Sequence, residues 1–199
     1  MGDRCRLITI LGIGGIGKTT LSVKLGRTIE EQFDYILWRN LREAPPIGDI
    51  LGELILFLSQ QKETNLSTTI GSQINKLLEY LSSYRCLLIL DNLESIFQDG
   101  THTGNYRPGY EDYGELFRQI GQIAHQSCLL LTSREKPADL INLEGNNSPV
   151  RTLHLEGLGR SAQQLFATKG LAISSDHCRY LIDLYHGNPL ALNLVSARI

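Results

Sequence analysis

Leu11-Gly12-Ile13-Gly14-Gly15-Ile16-Gly17-Lys18-Thr19-Thr20 follows directly on the apolar run Leu7-Ile8-Thr9-Ile10. Residues 12–19 fit the pattern G-x-x-x-x-G-K-S/T. Glycines let the backbone take positive φ and remove side chains that would block close approach. Successive amides then turn inward and form an anion nest. A helix starting after the loop adds its N-terminal partial charge. Lys18 supplies a full charge to the β and γ phosphates, and the Thr19 hydroxyl is placed to ligate Mg²⁺. The stretch predicts a strand, a phosphate-binding turn and a helix.

The pattern continues outward from that unit. Leu7–Leu11 reads as a buried strand, Lys18–Glu31 as a helix and Tyr35–Trp38 as a second strand. Ile47, Ile50, Leu51, Leu54 and Leu58 recur at helical spacing, as do Ile70, Ile74, Leu77, Leu78 and Leu81. Cys86–Asp91 is a fully apolar strand ending in a carboxylate. Tyr113, Leu116, Phe117, Ile120 and Ile123 mark another helix, and Cys128–Arg134 another apolar strand with a polar end. Val150–Leu155 reads as the last strand. Continuous apolar strands alternating with amphipathic helices predict a parallel sheet covered on both faces. After Glu156 the pattern turns helical: Ala162, Leu165 and Phe166, then Leu181, Ile182 and Tyr185, then Leu190 and Leu194. Two units are expected, a nucleotide-binding domain over residues 1–156 and a small helical subdomain over residues 157–199.

Bulk properties narrow the class. The chain has 199 residues, 42% hydrophobic, which suits a globular chain with one large domain and a small satellite. Lysine plus arginine number 19 against 21 acidic residues, so no basic footprint for nucleic acid is present. Cys5, Cys86, Cys128 and Cys178 are far apart and never form C-x-x-C, so reduced, structural thiols are expected. No apolar stretch is long enough to span a membrane and no secretory signal is recognisable, which points to the cytoplasm. The first strand begins within a few residues of Met1, and Ile199 falls inside an apolar helical pattern, as expected of a piece of a longer protein.

Three polar residues stand at strand ends, where open α/β sheets bind ligands. Asp91 closes its strand and is read as the second Mg²⁺ group, the alternative being a helix-capping aspartate. The next residue is Asn92, which cannot accept a proton. Glu94 is the nearest spare carboxylate, either a base for an attacking water or a solvated first-turn glutamate. Arg134 closes the strand ending Thr132-Ser133-Arg134, placed to read a γ-phosphate as a charged fork or simply to face solvent.

The P-loop, Leu88-Leu-Ile-Leu-Asp-Asn92, Leu129-Leu-Leu-Thr-Ser-Arg134, the segment Leu155–Phe166 and His186-Gly-Asn-Pro-Leu-Ala-Leu192 occur in one order. That order resembles the NB-ARC domain of the signal-transduction ATPases with numerous domains (STAND). These include plant disease-resistance proteins, apoptotic protease-activating factors and cyanobacterial signalling proteins. The stretch Phe33–Leu51 is similar to the cyanobacterial type, often fused to WD40 repeats.

The resemblance implies a three-layer P-loop NTPase fold. Its five-stranded parallel sheet would have the ASCE, AAA+-like order, in which the strand ending at Arg134 separates the Asp91 strand from the P-loop strand. It implies that Gly14, Gly15, Ile16, Gly17, Lys18, Thr19 and Thr20 wrap the phosphates, that Thr19 and Asp91 hold Mg²⁺, and that Arg134 senses the γ-phosphate. Pro189 and Leu190, from an ARC1-like helical subdomain, would pack near adenine and ribose. ADP would hold a closed state; exchange for ATP would open it, allow a homo-oligomer, and be reset by slow hydrolysis. The partners implied are an effector, a winged-helix subdomain and a repeat sensor of the same longer chain. The segment that usually precedes the P-loop and the winged helix are absent from this sequence. Asn92, where the family usually has a second acid, weakens the expectation of efficient hydrolysis.

Two other functions compete with the switch. A scaffold keeping ADP as a structural cofactor is favoured by Asn92. A small-molecule P-loop kinase would need an arginine-rich lid, which the sequence lacks. Elsewhere, Trp38 is expected in the core. Tyr106, Arg107, Tyr110 and Tyr113 form either a protein-contact surface or a loop folded on itself. His102, His125, His154, His177 and His186 show no metal-ligand spacing.

Overall fold

The computed structural model describes residues 5–100, 104–145, 147–159, 161–169 and 174–197. Met1, His102 and Ile199 lie outside them. Five strands, β1 (Leu7–Leu11), β2 (Tyr35–Asn40), β3 (Cys86–Asp91), β4 (Cys128–Ser133) and β5 (Val150–His154), form one sheet in the order β2-β3-β4-β1-β5. Every pairing is parallel. β4 lies between β1 and β3, as expected, so the ends of these three strands meet at one edge.

The strands are apolar throughout because both faces are covered. Alternate residues go to opposite sides. Leu88, Leu90, Leu129 and Leu131 face a large core with α2 (Ile47–Leu58), α3 (Ile70–Ser83) and α4 (Asp112–Gln122). Leu87, Ile89 and Leu130 face the other way, toward Leu21 and Leu25 of α1 (Lys18–Thr28). Each fully buried leucine contributes about 1.5–3 kcal/mol.

Several local expectations shift. The first helix ends at Thr28 and gives way to a 3-10 turn over Glu30–Gln32. Trp38 is not core: it is 40% exposed. Ile36, two residues earlier on the same face, packs in the α1 core. β2 is an edge strand with a neighbour on one side only, so α1 leaves the indole uncovered. The described part of the tyrosine-rich loop folds inward. Tyr113 is fully buried, Tyr110 and Tyr113 donate to the carbonyls of Ala44 and Pro45, and Tyr106 packs edge-on against Phe97. Among the described residues, no helix is long and apolar enough to cross a membrane.

Beyond β5, α5 (Ala162–Thr168), α6 (Ser175–Leu184) and α7 (Pro189–Ser196) close on a small core of Ala162, Phe166, Cys178 and Leu192. The two chain segments that lead into this core cross each other with almost no space between backbones. Leu158 N–H donates to Gly187 C=O at 2.7 Å. A Cβ at Gly187, which has φ +64°, would sit 2.4 Å from the Leu158 carbonyl oxygen. One at Gly157 would sit 2.0 Å from the His186 oxygen. The glycines of the two sequence motifs are thus each other's packing requirement.

Gly187→Ala is expected to cost on the order of 1–3 kcal/mol, since it adds a backbone clash to a left-handed residue; thermal unfolding would reveal it, and an unchanged midpoint would refute the crossing. His125, in the turn leading to β4, gives a second expectation. Its Nε2 bonds the Ile120 carbonyl and its Nδ1 accepts from Ser127 N–H, a pattern only the neutral ring can make. Burial, the main cause, lowers its pKa, with Arg6 assisting. The neutral-state stabilisation is therefore present above the ordinary histidine value of about 6.5 and is lost as pH falls below it. Urea unfolding at pH 7.5 and pH 5.5 should show a larger loss for the native chain than for His125→Gln.

Candidate functional site

The loop between β1 and α1 turns its carbonyls toward protein donors. Lys18 Nζ curls back and donates to Gly12 O at 2.8 Å and Ile13 O at 3.3 Å. Asn188 Nδ2 donates to Gly14 O at 2.9 Å, and Leu190 N–H to Gly15 O at 3.3 Å. In a trans peptide the next N–H points opposite the carbonyl, so the amides of Gly14 and Gly15 face away from these partners. Both glycines line a pocket of about 480 Å³ in front of the loop, a size that suits a small-molecule ligand. Gly15 has φ +78°, and a Cβ there would lie 2.9 Å from Leu190 Cβ. Its bareness serves the docking of α7 as much as the approach of a ligand.

The floor and one wall of the pocket carry the charges. Lys18 is largely buried, and burial lowers its pKa, with Arg134 assisting and Glu94 and Asp91 opposing. Thr19 Oγ1 lies 2.9 Å from both carboxylate oxygens of Asp91, which is 1% exposed at the end of β3. The donor set of a hydroxyl and a carboxylate, both hard oxygens, fits Mg²⁺. Because Thr19 spends its proton on Asp91, its oxygen lone pairs stay available. Glu94 stands in the 3-10 turn Leu93–Ile96 that follows β3. Its Oε1 forms an ion pair with Arg134 Nε at 3.2 Å, while its buried Oε2 has no hydrogen-bond partner. The site holds two cations and two carboxylates, and Arg134 also lies against Gly14.

The opposite wall comes from the helical segment: Leu165 of α5, and Pro189, Leu190 and Asn193 of α7. Asn188 caps α7 through Oδ1, which accepts from Leu190 and Ala191 N–H, with Pro189 at the first helical position. Gly14, Gly15, Gly17, Lys18, Thr19, Thr20, Glu94, Arg134, Pro189 and Leu190 all come together at this pocket. Asp91 lies beneath Thr19. Ile16 is buried with its side chain packed against Gly12, so only its backbone serves the loop. Sequence reasoning missed Asn188, Leu165, Asn193 and Thr132. Asn188 carried a signal, an asparagine directly before a helix-starting proline; Thr132 carried none, because its role depends on which strands are neighbours.

Comparisons agree with this architecture. Residues 1–98 match the NB-ARC domain model. An uncharacterised WD repeat-containing protein of Nostoc sp. is 53% identical over 99% of this chain, which spans 16% of that relative. Disease resistance protein RPM1 of Arabidopsis thaliana is 27% identical over 44% of this chain and 10% of its own length. The chain therefore corresponds to a small part of these relatives. Among solved structures, Cdc6p from Pyrobaculum aerophilum superposes with TM-score 0.61 at 18% identity, covering 95% of this chain and 53% of that one. The Aeropyrum pernix ORC1 protein, solved in complex with DNA, gives 0.58 at 17%, covering 96% and 52%. At such identities these likenesses speak for the fold alone, that of P-loop ATPases.

Lys18→Ala is expected to abolish measurable nucleotide binding, because it removes the buried cation of the pocket and the donor to Gly12 O, while Ile13 O keeps Ile16 N–H. Unchanged ADP affinity in isothermal titration would refute this placement of the site.

Proposed function

Residues 1–98 belong to the NB-ARC domain family, and from that premise we propose that the chain is the adenine-nucleotide-dependent regulatory module of a longer signalling protein. Its domains are residues 1–156, which hold the phosphates, and residues 157–199, which cover the nucleoside. One observation carries the reading. The start of α7 bonds directly to the P-loop, through Asn188 to Gly14 and Leu190 to Gly15. Whatever occupies the loop therefore touches both units, and its phosphate count biases how they sit together.

In this reading Gly14 to Thr20 wrap the phosphates and Lys18 leaves the loop carbonyls for phosphate oxygens. Thr19 and Asp91 would hold Mg²⁺, which when bound would supply charge neutralisation at the phosphates. Pro189 and Leu190 line the nucleoside side. Arg134 faces the terminal phosphate, and with a triphosphate present it exchanges Glu94 for phosphate oxygens. Glu94 is then left with both oxygens unpaired, one already so, and is suited to accept a proton from a water. ATP hydrolysis is slow at most, since the carboxylate comes from a turn rather than from position 92. The repeat-containing relative supports a chain with further domains; a homo-oligomer in the activated state and a cytoplasmic setting belong to the same proposal.

A second reading, a scaffold that keeps ADP and hydrolyses nothing, is supported by Asn92. Single-turnover hydrolysis decides between them. The native chain is expected to convert bound ATP above background, and Glu94→Gln to slow this by about 10²-fold or more while ADP affinity is unchanged. No turnover in the native chain would favour the scaffold; equal rates would remove Glu94 from the mechanism.

A further inference from the structure

The Asp91 carboxylate is taken almost completely out of water, a position that is costly without strong donors. Three side chains donate to it. Thr19 Oγ1 reaches both oxygens at 2.9 Å, Asn92 Nδ2 reaches Oδ2 at 3.3 Å, and Thr132 Oγ1 reaches Oδ1. Thr132 is fully buried in β4. The polarity of its hydroxyl is forced. Asn92 N–H donates to Thr132 Oγ1 at 3.1 Å, and a carboxylate only accepts, so the Thr132 proton has to point at Asp91.

Asn92 is also constrained. It stands at φ 63°, ψ 46°, a conformation asparagine tolerates better than most residues. Its Nδ2 donates to Asn40 Oδ1 at 2.9 Å, and that oxygen accepts from Arg42 N–H at 2.8 Å. The chain of donors sets the amide orientation. An acid at position 92 would bring an oxygen against Asn40 Oδ1 and Asp91 Oδ2. Of the three donors to Asp91, Thr19 and Asn92 line the pocket, and Thr19 shares its hydroxyl with a ligand. Thr132 does not line it and acts from behind.

We propose that Thr132 is a positioning residue: its hydroxyl, polarised by Asn92 N–H, holds the buried Asp91 carboxylate facing Thr19 and so sets the affinity of the pair for a divalent cation. The proposal rests on the reading of Thr19 and Asp91 as the Mg²⁺ pair. Donors behind a ligating carboxylate typically change metal affinity by about 10–100-fold when removed. Loss of this hydroxyl takes away one charge-assisted hydrogen bond and leaves Asn92 N–H without its acceptor.

The test is isothermal titration of the whole chain with β,γ-imido ATP, in Mg²⁺ and in EDTA, for the native protein, Thr132→Val, Thr132→Ala and Thr132→Ser. The native chain is expected to bind more tightly with Mg²⁺. In Val and Ala the Mg²⁺-to-EDTA affinity ratio falls by about 10–100-fold while the EDTA affinity stays the same, and Ser keeps the native ratio. A native ratio in Val and Ala overturns the proposal and leaves the metal reading standing. Equal losses in both media also overturn it, since Thr132 would then serve the fold. A native chain indifferent to Mg²⁺ removes the metal reading, and this proposal with it.

Discussion

Four consecutive carbonyls, from Gly12 to Gly15, have to be turned away from the pocket if the loop is to present its amides to a ligand. Each finds a donor: Lys18 Nζ takes the first two, Asn188 the third and Leu190 N–H the fourth. Gly12 N–H in turn bonds Ser133 O at the end of β4. The loop therefore needs α1, β4 and the start of α7 to hold its shape. This constraint explains why the last helix of the chain is tied to the first turn.

The same logic governs the carboxylates. Asp91 is buried and held by neutral donors, whereas Glu94 is partly exposed and held by Arg134 at one oxygen. Two acidic groups a few residues apart thus have different surroundings, one buried among three donors and one partly exposed beside a single cation. Asp91 is positioned from three elements and is suited to a fixed task; Glu94 shares an exchangeable ion pair with Arg134 and is suited to respond to a ligand. Asn92 separates them. Its amide donates to both Asp91 and Asn40, so the residue read at first as a missing acid has a structural task of its own.

Much of the fold was legible, for identifiable reasons. The strands are runs of apolar residues needed on both faces, and the helices on the large core carry strong periodicity. The interleaved order of β3, β4 and β1 followed from resemblance, not from any spacing. Trp38 was misplaced because an indole in a strand looks like core whether that strand is central or at the edge. The tyrosine-rich loop allows two readings from its residues alone, and the bonds from Tyr110 and Tyr113 to the Ala44 and Pro45 carbonyls decide for the folded one.

Sequence by itself determined the local chemistry: a glycine turn before a lysine, a carboxylate at a strand end, an asparagine and a proline at a helix start. Each is encoded within a few residues, by backbone freedom or capping. Tertiary structure alone decided what these groups face. That Asn188 meets Gly14 across 174 residues, that Thr132 lies behind Asp91, and that Gly157 and Gly187 share one crossing depend on strand order and helix docking. Such contacts arise from the packing of the whole core, which no short stretch of sequence records.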